Sequence, residues 1–392
     1  MSTYSFYIGT HAPASKTCIY RCEADFENLT FSTLYTMQGI PDPTYLAGPA
    51  NDVLYALGKT PEGGAVYALR QESGADCTVG AGSGSNSGLG AESDCRSALT
   101  IMNSLPSAGQ GPCHISLDPR GEYLLCANYG SGSAALFALG RDGSISALSD
   151  FRQYSGVGYD ASDRQKGPHA HFSSFHSERN EVLVCDLGLD TVYVYELDRA
   201  GGKLLDTDRS IRLPDGAGPR HLAFHDGHPG MLFVIAEMAN TIFAYRFDEA
   251  RRHYILAQSV SAIPSGPDSG EVTPSDRKLM VPATADNGSI GCAIRFSSDG
   301  EYLFVSSRLG YQSISAFRCG HDGQLRFCSR CLCGGITPRD FNVFKGDGVD
   351  YILIANQDSD LVTALRFDRG TENLTLLNMK MQANKPTCIL PV

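Results

Sequence analysis

A chain of 392 residues with 42 Gly, 19 Pro and only 19% charged residues is expected to be globular and rich in turns. Its formal charge of -11 disfavours nucleic acid or an anionic membrane as a partner, because such partners select Lys and Arg on one face. No uncharged apolar run approaches the roughly 20 residues of a membrane span, and residues 1–7 do not resemble a signal peptide. We therefore expect a cytoplasmic protein.

A degenerate repeat runs along the chain. Each full copy has Gly-Pro or Thr-Pro, a short strand, a turn, an apolar strand, a polar loop and then an alternating strand. Four clear copies and two partial ones begin, in chain order, at Asp42, Gly111, Gly167, Gly218, Gly291 and Thr337. The two partial copies are the ones at Asp42 and Gly291.

The two ends of the chain supply complementary halves of a seventh unit. The N-terminal YSFYIGTHAPASKTCIYRC resembles the second half of a copy, and the C-terminal KPTCILPV resembles a first strand. Ring closure by strands from both termini requires this division. The sequence therefore predicts an all-β fold, a seven-bladed β-propeller closed by N- and C-terminal strands that share one blade, in a single domain over residues 1–392.

Two ranges interrupt the repeat spacing. Residues 71–107 contain the Gly/Ser-rich VGAGSGSNSGLGAES, and residues 248–287 contain SGPDSG and several prolines. Both compositions are typical of long connections rather than of a packed domain. We predict surface insertions in both ranges.

A first column of aligned residues lies at the start of each blade's first strand. Its members are Tyr45, His114, His171, His221, Ile294, Asp340 and Cys388. Arg220 and Arg339 come directly before this column, and His169 does so in the blade with an extra residue. Since side chains two apart point the same way on a strand, His169 and His171 are expected to share a face.

A second, mostly polar column lies where the next strand ends. Its members are Thr10, Gly58, Asn128, Asp186, Glu237, Arg308 and Asn356. Antiparallel pairing brings this position beside the first column, so both should crowd one end of the ring. For Asn128, Asn356, Asp186 and Asp190 the favoured role is hydrogen bonding that ties neighbouring blades together.

The remaining members of these columns differ in charge from blade to blade, which repetition alone does not explain. Several Arg, one Glu and several His suit an anionic substrate whose carbonyl oxygen must be stabilised while one group moves a proton. Structural roles are favoured for five further histidines, which are His176, His225, His228, His253 and His321.

Metal and cofactor motifs are weak in this sequence. Cys328, Cys331 and Cys333 could offer three thiolates, and the His-x-His of PHAH could bind a metal with Glu237, but neither group completes a typical zinc site. Nucleotide-binding and serine-hydrolase motifs are absent. We predict neither a metal nor a cofactor.

Taken together, these motifs resemble the seven-bladed propeller lactonases, a family that includes cytosolic 6-phosphogluconolactonase and 3-carboxy-cis,cis-muconate cyclase. The strings that carry the resemblance are YIGTH, GPCH, CANYGSGS, GPHAH, DLGLD, GPRH, AEMAN, SSRLG, TPRDF and ANQDSD, in family order. The resemblance implies that the catalytic residues are His169 or His171, Arg220, Glu237 and Arg308. His221, Arg339, His114 and Asp186 are candidate substrate contacts.

Three functions remain open at this point. The first is hydrolysis of a small anionic lactone, 6-phosphoglucono-1,5-lactone, with Glu237 and one of the two histidines activating water while Arg220 and Arg308 bind phosphate or the oxyanion. The second is lactone formation from a muconate, as in the cyclase. The third is a binding propeller without catalysis, although the chain has no Trp for the repeat signature of WD scaffolds.

Overall fold

The computed structural model describes residues 3–50, 52–72, 98–160, 164–225, 227–264 and 288–392. Within these ranges, 29 strands form seven antiparallel sheets, and Gln357–Ser359 form one short 3₁₀ turn. The predicted all-β propeller is therefore confirmed. No helix among the described residues is long and apolar enough to cross a membrane.

Each sheet is one blade, and its strands follow the chain from the inner to the outer edge. Blade 1 has the order β29-β1-β2-β3, with β1 (Thr3–Thr10), β2 (Ile19–Asp25), β3 (Thr30–Met37) and β29 (Pro386–Pro391). Blade 2 contains β4 (Leu46–Ala50), β5 (Val53–Thr60), β6 (Gly63–Gln71) and β7 (Leu99–Pro106). Blade 3 contains β8 (Pro112–Leu117), β9 (Tyr123–Asn128), β10 (Ser133–Leu139) and β11 (Ile145–Gln153).

The other four blades repeat this plan. Blade 4 contains β12 (Ala170–Phe175), β13 (Glu181–Asp186), β14 (Thr191–Asp198), β15 (Lys203–Asp206) and the short β16 (Ile211–Arg212), which also pairs with β14. Blade 5 contains β17 (Pro219–His225), β18 (His228–Ala236), β19 (Thr241–Asp248) and β20 (His253–Ser261). Blade 6 contains β21 (Ile290–Phe296), β22 (Tyr302–Arg308), β23 (Ser313–Cys319) and β24 (Leu325–Leu332). Blade 7 contains β25 (Pro338–Lys345), β26 (Val349–Asn356), β27 (Leu361–Asp368) and β28 (Asn373–Gln382).

The C-terminal strand closes the ring. β29 pairs with β1 from Phe6↔Pro391 to Thr10↔Pro386, and it contacts the inner strands of blades 2 and 7 on its two sides. Apolar side chains from the two ends of the chain and from blade 7, including Ile8, Leu353 and Ile389, share one buried cluster. The predicted exchange of terminal strands is confirmed, and it hides an edge that would otherwise be open.

The second strands are buried on both faces because each blade packs between two others. Every residue of β9 and β13 is buried, whereas the outer strand β11 is mostly exposed or half-buried. Continuous apolar runs such as YLLCAN therefore fit the second position of a blade, and burial of these runs is the main stabilising contribution.

The ranges predicted for the two insertions are too long. The range 71–107 includes β7, and the range 248–287 includes β20, and both are regular outer strands of their blades. Outer strands carry many exposed polar residues, so their hydrophobic signal is weak beside Gly/Ser-rich sequence. The remainders, 73–97 and 265–287, lie outside the described residues.

A β-bulge recurs near the start of five inner strands. In β12, Ala170 pairs with Asp186 and Phe172 with Cys185, so His171 is passed over. The equivalent bulged residues in blades 1, 3, 5 and 7 are Thr387, Cys113, Arg220 and Arg339. His171 therefore belongs with these residues, and its predicted alignment with His114 and His221 was wrong by one position. The register of a bulge is not visible in sequence alone.

Candidate active site

A pocket of about 350 Å³ opens where the inner strands begin and the second strands end. Bulged residues and residues of the adjoining turns form its wall, as expected where β-bulges re-aim side chains. The lining residues are His11, Thr44, Lys59, Gly111, Pro112, Cys113, Tyr129, Arg164, His171, Arg308, Arg339, Gln357 and Thr387. Four of them are Lys or Arg and none is Asp or Glu, so the pocket favours an anionic ligand.

Glu237 is completely buried and forms ion pairs with three arginines. Its Oε2 lies 2.8 Å from Arg220 Nε, and its Oε1 lies 3.0 Å from Arg308 Nη2 and also pairs with Arg164 Nη1. Burial alone would raise the pKa of Glu237, but the charges of Arg308, Arg220 and Arg164 outweigh it and bring the pKa to about 2. Glu237 is thus a carboxylate that holds three guanidinium groups in place.

The three guanidinium groups have different second contacts. Arg220 is fully buried, and its Nη1 donates to the carbonyl oxygen of Cys292 at 2.6 Å. Arg164 is 31% exposed and donates to the hydroxyl of Tyr129 at 3.2 Å, while Arg308 is 15% exposed. Three cations around one carboxylate leave positive charge, and Arg164 and Arg308 present it to the pocket.

Of the predicted pair His169 and His171, only His171 lines this pocket. Burial, together with the charges of Arg220, Arg339 and Arg308, holds the pKa of His171 well below 6.5. Its imidazole is therefore neutral near pH 7, and its Nδ1 has no hydrogen-bond partner among the described residues. The neutral imidazole keeps a nitrogen lone pair that can accept a proton from water.

His169 lies apart from the pocket lining. Its ring stacks on Tyr129 at 4.4 Å between centroids, and its Nδ1 is 2.9 Å from the carbonyl oxygen of Tyr129. Its backbone N–H donates to Asp186 Oδ1 at 2.8 Å, and the same oxygen accepts from Leu189 N at 3.1 Å. Asp186 thus fixes the backbone that leads into β12 and is not itself a pocket residue.

His114 and His221 belong to an aromatic cluster behind the pocket. Their ring centroids are 5.7 Å apart, and both contact Phe172. His114 Nδ1 accepts from Ser173 N at 3.3 Å, and His221 Nε2 lies 3.0 Å from Arg220 Nη1. Burial and nearby arginines hold the pKa of both imidazoles well below 6.5, so both support the site as neutral groups.

Arg339 lines the pocket, and its Nη1 donates to Gln357 Oε1 at 3.2 Å. Burial and the charges of Arg220 and Arg308 lower the pKa of Arg339, which shows how much positive charge is concentrated here. Cys113 is a poor nucleophile, because burial raises the pKa of its thiol to about 12.

Of the four polar residues assigned to blade ties, Asn128 and Asp190 contact a neighbouring blade, whereas Asn356 and Asp186 form hydrogen bonds within their own blades. Asn128 Nδ2 donates to the carbonyl oxygen of Ser107 at 3.0 Å, and Asn356 Nδ2 donates to Thr363 Oγ1 at 2.8 Å. Asp190 accepts from the backbone N–H groups of Gly216 and Gly218 at 2.8 Å, which links blade 4 to the entry of blade 5.

Ten of the thirteen lining residues were missed from the sequence, and five of these carry large polar side chains. His11, Lys59, Tyr129 and Gln357 each follow a member of the second column directly, so a column one position further along would have found them. Arg164 lies in the loop before β12 and has no counterpart in the repeat. Among the described residues, no group of three or more His, Cys, Asp or Glu is placed to hold a metal, and this includes the cysteines of β24.

Comparison with known proteins identifies the family of this chain. The family described as "Lactonase, 7-bladed beta-propeller" matches residues 5–391. The 6-phosphogluconolactonase of Bacillus subtilis is 30% identical over 391 residues, which cover 99% of this chain and 98% of the relative.

Solved structures agree in fold. A protein from Lactobacillus plantarum superposes with a TM-score of 0.80 at 25% identity, covering 100% of this chain and 99% of that one. The periplasmic gluconolactonase of Pseudomonas aeruginosa gives a TM-score of 0.81 at 22% identity, again covering 100% of this chain and 99% of that one. With its split terminal blade and its arginine-rich pocket, this chain belongs to the seven-bladed β-propeller lactonase family.

Proposed function

We propose that this protein hydrolyses a small anionic sugar lactone, with 6-phosphoglucono-1,5-lactone as the substrate. The observation that carries the proposal is the placement of a neutral imidazole, His171, in a pocket whose charged lining residues are Lys59, Arg164, Arg308 and Arg339. The activity named for the Bacillus subtilis relative supports the choice of substrate.

The reaction needs one base and one stabilised oxygen. His171 accepts a proton from water as the water oxygen attacks the lactone carbonyl carbon, and Arg308 and Arg164 stabilise the negative charge that develops on the carbonyl oxygen. The bond from that carbon to the ring oxygen then breaks, and the imidazolium returns its proton to the leaving oxygen. The open-chain acid loses a proton to solvent, so the site is restored without a covalent intermediate.

In this proposal Glu237 positions the arginines and does not activate water. A carboxylate with a pKa of about 2 that is occupied by three guanidinium groups is a weak base near neutral pH. Its charge also lowers the cost of burying Arg220, which would otherwise be an uncompensated cation.

The proposal is tested by measuring lactone opening above the spontaneous rate. Arg308→Ala should reduce kcat by about 10²- to 10³-fold, the usual effect of losing an oxyanion contact. Glu237→Gln should also reduce kcat, because Arg164 and Arg308 lose the carboxylate that positions them. Unchanged rates in both variants would remove this site from the reaction.

The same preparations distinguish the other two functions. Cyclisation of 3-carboxy-cis,cis-muconate, followed in the ultraviolet, would favour the cyclase if it proceeds while lactone hydrolysis does not. Activity on neither substrate would favour a binding propeller.

A further inference from the structure

The pocket has a second cationic end that the proposed mechanism does not use. His11 and Thr387 of blade 1 line this end together with Thr44 and Lys59 of blade 2. The seven inner strands contact one another in ring order, so blade 5, which carries Glu237, lies three blades from blade 1 and three from blade 2. The two ends of the pocket therefore face each other across the axis of the ring.

The charges at this second end are incompletely neutralised. Lys59 Nζ lies 2.8 Å from Asp42 Oδ2, and His11 Nδ1 lies 3.6 Å from Asp42 Oδ1. Arg339 and Lys385 also contribute positive charge around His11. One carboxylate thus faces several cations, and Lys59 is 46% exposed, so its ammonium can turn toward a ligand.

Two buried polar atoms at this end have no hydrogen-bond partner within the described ranges. They are Thr44 Oγ1 and His11 Nδ1. The neighbouring Thr387 hydroxyl is already used, since it donates to the carbonyl oxygen of Thr44 at 2.9 Å. Buried polar atoms are normally paired, so a free hydroxyl in the wall of a cationic pocket indicates a ligand oxygen as its missing partner.

We propose that Lys59, His11 and Thr44 form an anion subsite that holds the phosphate of the substrate and selects phosphorylated over unphosphorylated lactones. The inference rests on the proposed function. His171 and Arg308 fix the carbonyl at the opposite end, so a phosphate on the far carbon of the sugar would meet the Lys59 end. Phosphate suits this end because it offers several acceptor oxygens to an ammonium, an imidazole N–H and a hydroxyl.

Steady-state kinetics with two substrates tests the subsite. For Lys59→Met, the ratio of kcat/KM for 6-phosphoglucono-1,5-lactone to that for glucono-1,5-lactone should fall roughly 10- to 100-fold, mainly through KM, because one charged contact to phosphate is lost. Lys59→Arg should restore most of the ratio. Lys203→Met is the matched control, because Lys203 is 52% exposed and also pairs with an aspartate, Asp150, away from the pocket. An unchanged ratio in Lys59→Met would overturn the subsite.

Product binding separates failure of the subsite from failure of the proposed function. Calorimetry compares 6-phosphogluconate with gluconate on the wild type, Lys59→Met and Thr44→Val. A preference for the phosphorylated acid that both substitutions weaken supports the subsite even if the wild type hydrolyses no lactone. If the wild type binds the two acids equally, the subsite is wrong even if hydrolysis is observed.

Discussion

At the scale of single residues, the β-bulge gives the two histidines of PHAH different surroundings. His171 occupies the bulge and lines the pocket, whereas His169 stacks on Tyr129 outside the lining. We expect His171→Gln to reduce kcat/KM for the lactone by about 10²- to 10⁴-fold, the range for a lost general base. His169→Gln should cost less than about tenfold, because the ring stack and the hydrogen bond to Tyr129 that it alters lie outside the pocket lining.

Parallel kinetics on the two purified variants, with circular dichroism as a check on folding, decide between them. Equal losses in two folded variants would contradict the assignment of the base. The pH profile of kcat/KM on its acidic side supplies a second readout. Because burial and nearby arginines hold the pKa of His171 well below 6.5, activity should persist as the pH falls through 6.5.

Arg164 is the residue that the repeat could not reveal. It contacts Glu237 and Tyr129 from a loop, and it is the most exposed of the three arginines around that carboxylate. Arg164→Gln should lower kcat/KM by at least about tenfold, since one charged contact to the oxyanion is lost. The fold should survive, because Glu237 keeps Arg220 and Arg308. Arg212→Gln, which removes an exposed arginine paired with Asp215, is the control and should leave kinetics unchanged.

The sequence was informative wherever a residue has counterparts in other blades. Glu237, Arg220 and Arg308 stood out because equivalent positions carried different charges, and the structure brings all three together. Arg164 has no such counterpart. Lys59 was overlooked because the column stopped one residue early, at Gly58.

At the scale of elements, the β-bulge decides which side chains enter the pocket. A bulge inserts one unpaired residue and turns it away from the regular alternation of the strand. Cys113, His171, Arg339 and Thr387 line the pocket from this position, while their next neighbours, such as His114, lie behind it. A sequence alignment matches His with His and cannot detect this one-residue change of register.

The turn after β13 supports the segment that leads to His171. A Cβ on Gly188 would lie 1.9 Å from the carbonyl oxygen of Gly167 and 2.9 Å from the backbone nitrogen of His169. Gly188→Ala must therefore displace backbone, and we expect a loss of about 1–3 kcal/mol in the free energy of unfolding together with reduced kcat/KM.

Gly167→Ala is the matched control, because a Cβ there meets no atom within 4 Å. Urea unfolding and lactone kinetics on both variants provide the comparison. A Gly188→Ala protein as stable and active as the control would show that this close approach does not position β12.

At the scale of the whole molecule, the ring was predictable because the sequence has an incomplete repeat unit at each terminus. A half unit at each terminus has one simple solution, a shared blade, and β29 pairs with β1 accordingly. What the ring encloses was less predictable. The charge balance of the pocket depends on loop residues such as Arg164, and on how ion pairs share carboxylates such as Glu237 and Asp42.

The ring also brings buried imidazoles from different blades together near its axis. His114 of blade 3, His171 of blade 4 and His221 of blade 5 are all buried, with His221 5.7 Å from His114 and 5.4 Å from His171 between centroids. Their pKa values in the folded protein lie well below 6.5, whereas in an unfolded chain they return to about 6.5. Below pH 6.5 the unfolded chain therefore binds more protons, and stability falls as the pH is lowered.

Other groups change the stability with pH in the opposite direction. The contribution of one histidine is therefore measured as the difference between the wild type and a variant that lacks it. Burial raises the pKa of Asp186 to about 6, and stability contributed by that carboxyl declines as the pH rises from 3.8 toward 6. His114→Phe keeps an aromatic ring between Tyr45 and Phe172 but removes the titrating group. Between pH 6.5 and 5.5, the wild type should lose up to about 1 kcal/mol more unfolding free energy than this variant.

Urea unfolding at several pH values measures this difference, even if His114→Phe is less stable at every pH because Ser173 N loses its acceptor. His321→Gln serves as a control for the loss of an imidazole elsewhere, because His321 is exposed in the turn between β23 and β24. A wild-type slope in His114→Phe would mean that the folded protein accepts a proton on His114. The histidines at the axis would then be partly charged in the folded ring, and burial between three blades would not be enough to keep them neutral.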